Sequence, residues 1–215
     1  MRGRRDHTRQ TRESVCYGLW MTVSSTVAIA GTLFSAQRAC LVPISLVLEL
    51  VAGVWLRWTR RAESPAGPLT ATHAKGPSPL VRAVGLLAAS VLFFHVLAVL
   101  FGAPLLEEVE ETLCFGVHMT VLTVLPLVLC VGRTTVAALH KTLLDHRGCE
   151  SRLESLQRLG ALGALAGAWL GCVTLPLDWD RPWQRWPIPC LLGASLARTG
   201  TLMVACFLGS SRALP

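Results

Sequence analysis

Two carboxylates that lie close together in this sequence are of a type that could do catalytic chemistry. Asp178 and Asp180 lie two positions apart, and paired carboxylates act as acid and base in several classes of enzyme. Arg181 follows directly, and a neighbouring guanidinium favours the ionised form of both groups, whereas a general acid needs a proton to donate. The residues therefore predict a rigid turn that neutralises its own charge, with acid–base catalysis as the alternative.

A second acidic cluster follows the segment Gly102-Ala103-Pro104-Leu105. It consists of Glu107, Glu108, Glu110 and Glu111. Successive helical residues point in different directions and no histidine joins them, so the cluster predicts no metal site. We expect Pro104 to end one helix and the acids to complement the positive N-terminal end of the next. No cofactor is expected from these residues.

Ionisable residues also lie inside otherwise apolar runs. Glu49 and His95 are the clearest cases, and His118 is a weaker one. Charged or polar groups at membrane depth are costly and usually face protein or a cavity. Each is interpreted either as a hydrogen-bonded structural contact or as a site for a lipid headgroup or a proton.

Sequence motifs of known catalytic sites are missing from the chain. The nucleophile elbow G-x-S-x-G, the P-loop, H-E-x-x-H and the dinucleotide fingerprint do not occur. The polar segments reach only about 25 residues, too few for a domain with its own core. The sequence therefore predicts no catalytic residues and a protein that is not an enzyme.

The composition indicates which elements position these residues. Of the 215 residues, 52% are hydrophobic and 15% are charged, against about 25% charged in an average soluble domain. The net charge is +7, but the basic residues lie between apolar runs without aromatic interleaving, so we expect membrane lipid as a partner and no nucleic acid. The eight cysteines contain no C-x-x-C pair and predict neither a disulfide framework nor a zinc site.

The apolar runs predict an all-α polytopic membrane protein, with residues 1–215 forming a single transmembrane domain. About six transmembrane helices are expected, at residues 15–34, 40–56, 80–101, 113–131, 156–175 and 187–208. A basic head precedes the first run, which we interpret as a retained span rather than a signal peptide. An amphipathic helix is expected near residues 140–152, between the fourth and fifth spans.

The distribution of basic residues predicts the orientation. With six spans, one side holds 14 Lys and Arg residues and the other holds three, namely Arg38, Arg181 and Arg185. Cytoplasmic loops carry the excess of Lys and Arg. Both termini are therefore expected in the cytosol, and the loops at 102–111 and 177–186 on the lumenal or exterior side.

Small residues line one face of the fifth predicted span. Gly163, Gly167 and Gly171 are spaced by four and share that face. Helices in lipid associate by close backbone approach over small residues. The face predicts a close helix contact, either within the chain or with the helix of a partner protein.

The loop after that span is the most distinctive surface of the chain. Besides its charged residues it holds Trp179, Pro182, Trp183 and Trp186. Tryptophan is enriched at membrane–water interfaces and proline restricts the backbone. We expect a preformed clamp that faces a partner or the lumenal membrane surface.

Two stretches resemble a known family. Residues 94–105 read FHVLAVLFGAPL and continue through Glu111 and Thr112, and residues 167–188 contain GAWLG and LDWDRPWQRWPI, with CLLGA at 190–194. Together they closely resemble the PIG-F family of glycosylphosphatidylinositol (GPI) biosynthesis proteins. Residues 93–131 and 164–200 match in register, and the first 80 residues match only in hydropathy. Arg198 departs from the family pattern.

The resemblance implies a multi-pass protein of the endoplasmic-reticulum membrane. It also implies a non-catalytic subunit that stabilises the GPI ethanolamine-phosphate transferases PIG-O and PIG-G, which transfer phosphoethanolamine to GPI mannoses. Two alternatives stay open. One is a small intramembrane lipid transferase that uses His95 and the lumenal acids, and the other is a small transporter.

Overall fold

The protein is helical throughout the part of the chain that its structure, a computed structural model, describes. The described residues are 16, 17, 20, 41–63, 78–104, 106–132, 134–144, 151–177, 181 and 184–211. Within these ranges there is no strand, which confirms the predicted all-α fold for them. Most of the first predicted span, residues 15–34, lies outside the described residues, although Cys16, Tyr17 and Trp20 are helical.

The helices follow the apolar runs of the sequence closely. They are α1 Leu41–Glu63, α2 Pro79–Leu100, α3 Val109–Thr123, α4 Val136–Leu144, α5 Arg152–Cys172 and α6 Ile188–Ser211. After α3 the chain continues through Pro126 into a π-helical turn at Leu127–Val131, which ends at Gly132 in the left-handed conformation. The helix between the fourth and fifth predicted spans is α4, which begins four residues before the predicted 140–152, and residues 145–150 lie outside the described residues.

Local sequence signals account for the ends of α2. The Ser78 side chain accepts a hydrogen bond from the Val81 N–H at 3.3 Å, and proline occupies the first turn, where its missing N–H costs nothing. At the other end Gly102 has φ of 101°, and the Ala103 N–H donates to the Ala98 carbonyl at 3.0 Å. This pattern terminates helices, and it stops α2 at Leu100, before the expected break at Pro104 could act.

A capping sequence also sets the start of α5. The Ser151 hydroxyl accepts a hydrogen bond from the Glu154 N–H at 3.2 Å, and Ser-x-x-Glu is the pattern of a capping box. The helix therefore begins four residues before the predicted position 156. Arg158 then ties α5 to α4, because its Nε donates to the Leu143 carbonyl at 3.1 Å.

The core lies where α3, α5 and α6 meet, with α2 packed on its outside. In the apolar stretch of α3 and its π-helical continuation, 78% of the residues are buried, whereas in that of α2 only 17% are buried. An apolar helix with so little protein cover is typical of a lipid-facing position. The buried residues of the largest cluster come from all four helices: Phe94, Ala98, Phe115, Met119, Leu122, Ala164, Ala168, Cys190, Leu191 and Ala194.

Three of the described helical segments are long and apolar enough to cross a membrane. They are Pro79–Leu100, Val109–Val131 and Ile188–Leu208, and a shorter apolar segment covers Ile44–Trp55. Helix α5 is not among them because Gln157, Arg158 and its many glycines lower its hydropathy. The chain is therefore a membrane protein by the composition of these helices, and the count of about six spans stays a prediction.

Candidate functional site

The glycine face of α5, which consists of Gly163, Gly167 and Gly171, packs directly on α6. A Cβ added at Gly167 would lie 2.5 Å from the Ala197 Cβ, and one at Gly171 would lie 2.8 Å from the Pro189 carbonyl carbon. Real Cβ atoms do not approach that closely, so the two backbones meet only because these residues are glycine.

This packing decides between the two alternatives for the glycine face. Helix α6 of the same chain covers it, and Gly193 of α6 contributes a glycine from the other side. The face is thus assigned to intramolecular packing, and the prediction of a partner or lipid contact through these three glycines is corrected. The sequence could not distinguish the two, because the same small-residue pattern serves both kinds of contact.

A buried ion pair joins α1 to α6 in the interior of the bundle. Arg198 Nη2 lies 2.6 Å from Glu49 Oε1, and the exposed fractions of the two side chains are 0% and 1%. The Tyr17 hydroxyl donates to Glu49 Oε2 at 3.0 Å. Glu49, predicted as an intramembrane polar site, is therefore a structural partner, and both of its oxygens are used.

A proline just after α3 explains the second contact of Arg198. Pro126 has no N–H, so the Leu122 carbonyl four residues earlier loses its ordinary helical donor. Arg198 Nη1 donates to that carbonyl. One guanidinium therefore binds both a buried carboxylate on α1 and a backbone carbonyl on α3. These contacts give Arg198, which departs from the family pattern, a structural role.

Of the two histidines in the apolar runs, His118 makes the helix-to-helix contacts that were expected more strongly of His95. His118 is completely buried, with Nε2 2.9 Å from Ser195 Oγ and Nδ1 3.4 Å from Ser45 Oγ. His95 is half-buried, and its Nδ1 is enclosed without a hydrogen-bond partner. His118 thus links α1, α3 and α6, whereas His95 lies on α2 beside the close approach of Gly116 to the α2 backbone.

The loop at 177–186, called the Trp-rich loop below, is anchored to the helices through its described residues. The Gln184 side chain donates to the Thr174 carbonyl at 3.0 Å and to the Leu177 carbonyl at 2.5 Å, and it accepts from the Arg181 N–H at 3.2 Å. Arg181 itself is exposed. The loop is therefore closed on itself by one amide side chain, which the sequence did not single out.

Trp186 ties the end of this loop to the start of α3. Its indole Nε1 donates to Thr112 Oγ1 at 3.1 Å, and its ring lies 5.2 Å from that of Phe115. The bond that follows, Trp186–Pro187, is cis. The other predicted contact residues of the loop, Asp178, Trp179, Asp180, Pro182 and Trp183, lie outside the described residues.

The acidic cluster lies at the N-terminal end of α3, on the same end of the bundle. Glu110 and Glu111 occupy the first turn, where carboxylates complement the helix dipole. Gly102, Ala103 and Pro104 form the turn before it, and Leu105 lies outside the described residues. Within the described part of the chain, no group of three or more His, Cys, Asp or Glu side chains could hold a metal ion.

The sequence does not predict that Tyr17 and Arg198 are the partners of Glu49. The signal was present, because a single acid and a single base in different apolar runs are expected to pair at membrane depth. What the sequence lacked was the rotation of each helix, which decides whether the two groups face each other.

Comparison with known families covers nearly all of these elements. The model of the "GPI biosynthesis protein family Pig-F" matches residues 19–206, which include Glu49, the glycine face, the Trp-rich loop and Arg198. The chain belongs to this family. The resemblance inferred from residues 94–112 and 167–194 is thereby confirmed.

Several curated relatives of the Pig-F family match parts of the chain. The "GPI ethanolamine phosphate transferase, stabilizing subunit" of Homo sapiens is 35% identical over 140 residues, which are 62% of this chain and 63% of the relative. The mouse protein of the same name is 37% identical over 116 residues, 54% of this chain and 52% of the relative. "Glycosylphosphatidylinositol anchor biosynthesis protein 11" of Yarrowia lipolytica is 40% identical over 114 residues, 53% and 48%.

The matched segments thus span about half to three fifths of the length of these relatives. No solved structure matches the chain.

Proposed function

We propose that the chain is a non-catalytic stabilising subunit of a GPI ethanolamine phosphate transferase of the endoplasmic-reticulum membrane. The match of residues 19–206 to the Pig-F family carries the proposal, and the names of the human and mouse relatives support it. In this role the chain supports the transfer of phosphoethanolamine to GPI mannoses and leaves the chemistry to its partner, PIG-O or PIG-G.

The use of the buried polar groups supports a structural rather than a catalytic role. Glu49 and Arg198 bind each other, and His118 is held between two serines. Groups that bind one another in a closed interior hold helices in register. Glu110 and Glu111 lie in the first turn of α3, where the helix dipole accounts for them.

The proposed topology has about six spans with both termini in the cytosol. The excess of basic residues on one side motivates it. It puts the acids near Glu108 and the Trp-rich loop in the lumen. Glycosylation acceptors inserted near Glu108 and near Asp180 are expected to be modified, and one inserted at Ser64 is not. Modification at Ser64 would rule out this topology.

The contact surface for the transferase or its lipid is the lumenal end of the bundle. It comprises the Trp-rich loop, with Asp178, Trp179, Asp180, Arg181, Pro182, Trp183 and Trp186, and the neighbouring turn at Gly102, Ala103, Pro104 and Leu105. The exposed Arg181 guanidinium can reach a carboxylate or a phosphate. Trp186 is already engaged with α3, so we assign it to holding the loop rather than to direct contact.

The deciding experiment separates assembly from chemistry. Tagged wild-type chain, a variant with Arg181→Ala and Trp183→Ala, and a variant with Glu107, Glu108, Glu110 and Glu111 changed to glutamine are expressed at low level in cells that lack the chain. Wild type should co-purify with the transferase, and the loop variant should recover less of it and restore less GPI-anchored surface protein.

The glutamine variant distinguishes the proposal from a catalytic role. It should assemble and support transfer, because the proposed function assigns these acids no chemistry. Abolished transfer in an assembled complex would instead favour the intramembrane lipid transferase. Full rescue by the loop variant would leave the loop as a connector only.

A further inference from the structure

Two cysteines meet at the lumenal end of the α5–α6 pair. Cys172 is the last residue of α5, and Cys190 lies in the first turn of α6. Their sulfur atoms are 3.2 Å apart, Cys172 is half-buried and Cys190 is buried. The sequence does not predict this pair, because the two cysteines are 18 residues apart and form no C-x-x-C motif.

The glycine packing of the two helices produces this approach. A Cβ added at Gly171, next to Cys172, would lie 2.9 Å from the Cys190 Cα. Because the two backbones approach so closely at this point, the side chains of the neighbouring positions come into contact. A disulfide needs its sulfurs at about 2.05 Å, so they have to close only about 1.2 Å, which rotation about the side-chain bonds can supply.

We propose that Cys172 and Cys190 are joined by a disulfide that closes the lumenal end of the α5–α6 pair. The proposal rests on the lumenal orientation proposed above, because disulfides persist in the oxidising lumen and not in the cytosol. It adds a covalent constraint at the base of the Trp-rich loop, since both cysteines flank the segment 173–189.

The chemistry is thiol–disulfide exchange with an oxidised thiol carrier. The partly exposed Cys172 thiolate attacks the carrier disulfide, forms a mixed disulfide and releases one carrier thiol. The Cys190 thiolate then attacks Cys172 Sγ and releases the second carrier thiol. The two protein thiols are oxidised, the carrier disulfide is reduced to two thiols, and the two protons leave with them.

The expected consequence is greater stability of the helix pair. A link across this short segment restricts the unfolded chain, so the oxidised protein in detergent should melt about 5–10 °C above the reduced protein. A Cys172→Ala variant should melt at one temperature with or without reductant. Cys206→Ala, which removes another half-buried cysteine of α6, should keep the difference.

The direct test is mass spectrometry of the full chain from microsomes. Thiols are blocked with N-ethylmaleimide during lysis, and the protein is digested with trypsin without reductant. Cleavage after Arg158, Arg185 and Arg198 separates the two cysteines, because Arg181 precedes proline and is not cut. A linked pair of peptides, 159–185 with 186–198, is expected, and its loss on reduction confirms the bond.

Two further measurements keep failure interpretable. Chain purified in detergent and treated with oxidised glutathione tests the geometry without regard to orientation, and absence of the 172–190 link there overturns the proposal. A link that forms in detergent but not in microsomes overturns its occurrence in the cell. The glycosylation acceptor near Asp180 reports the orientation separately, so a failed disulfide and a failed topology are distinguishable.

Discussion

Helix α6 is held in two physically different ways by its neighbours. Against α5 it packs through glycines along a continuous face, with backbone meeting backbone. Against α1 and α3 it makes buried polar contacts: Arg198 reaches Glu49 and the Leu122 carbonyl, and Ser195 bonds His118. The first contact is distributed over several turns, and the second depends on a few buried polar side chains, with Arg198 making two of the bonds.

A helix in lipid is therefore fixed in two ways that need no hydrophobic driving force between helices. Close packing supplies many small dispersion contacts, and each glycine contributes by what it lacks. A buried ion pair contributes less by its presence than its disruption costs, because removing one partner leaves a charge in the interior. The two contacts should therefore respond differently to substitution.

The largest effect is expected from breaking the ion pair. Arg198→Met leaves the Glu49 carboxylate buried without its cation and the Leu122 carbonyl without its donor. The free energy of unfolding should fall by about 3–5 kcal/mol. Denaturant titration in detergent, followed by helix content, measures it.

A double variant sharpens this prediction. Glu49→Gln combined with Arg198→Met removes both charges, and the Tyr17 hydroxyl can still donate to the new amide oxygen. More than half of the lost stability should return. If the double variant is as unstable as the single one, the contact to the Leu122 carbonyl, not the charge pair, is the main contribution of Arg198.

A smaller effect is expected from a single methyl group in the glycine interface. Gly167→Ala places a Cβ against the Ala197 Cβ and the α6 backbone, and overpacking of this kind costs about 1–3 kcal/mol. Thermal melting in detergent should show the loss.

Gly200→Ala is the matched control for this change. It lies on α6 with nothing within 4 Å of an added Cβ, and alanine favours helix by about 1 kcal/mol over glycine. It should melt at the wild-type temperature or above. Equal melting of Gly167→Ala and Gly200→Ala would mean that the helices are not in backbone contact.

The smallest effect is expected at the end of the bundle that carries the Trp-rich loop. Trp186→Phe keeps an aromatic ring near Phe115 but removes the hydrogen bond to Thr112 Oγ1. The loss should be about 0.5–1.5 kcal/mol. A double-mutant cycle with Thr112→Val measures the hydrogen bond itself, and a coupling near zero would show that the indole N–H finds another partner.

Helix positions were predictable where local signals act alone. The run predicted at 80–101 is helix Pro79–Leu100, and the run predicted at 187–208 is helix Ile188–Ser211. The ends of the helices differ from the predicted bounds where a cap sets them, as Ser151 does before α5 and Gly102 after α2. Caps involve one or two residues and do not disturb the apolar pattern that carries the prediction.

The apolar pattern and the motifs predict the helices, their approximate bounds, the family and a small-residue face. The packing of the folded helices is needed to show that this face meets α6, that Glu49 meets Arg198 149 positions away, and that Cys172 meets Cys190. The physical reason is that a helix apolar on all sides has no preferred inward face in its composition. Its rotation is set by backbone approach and by a few buried polar contacts, which exist only once the neighbouring helices are in place.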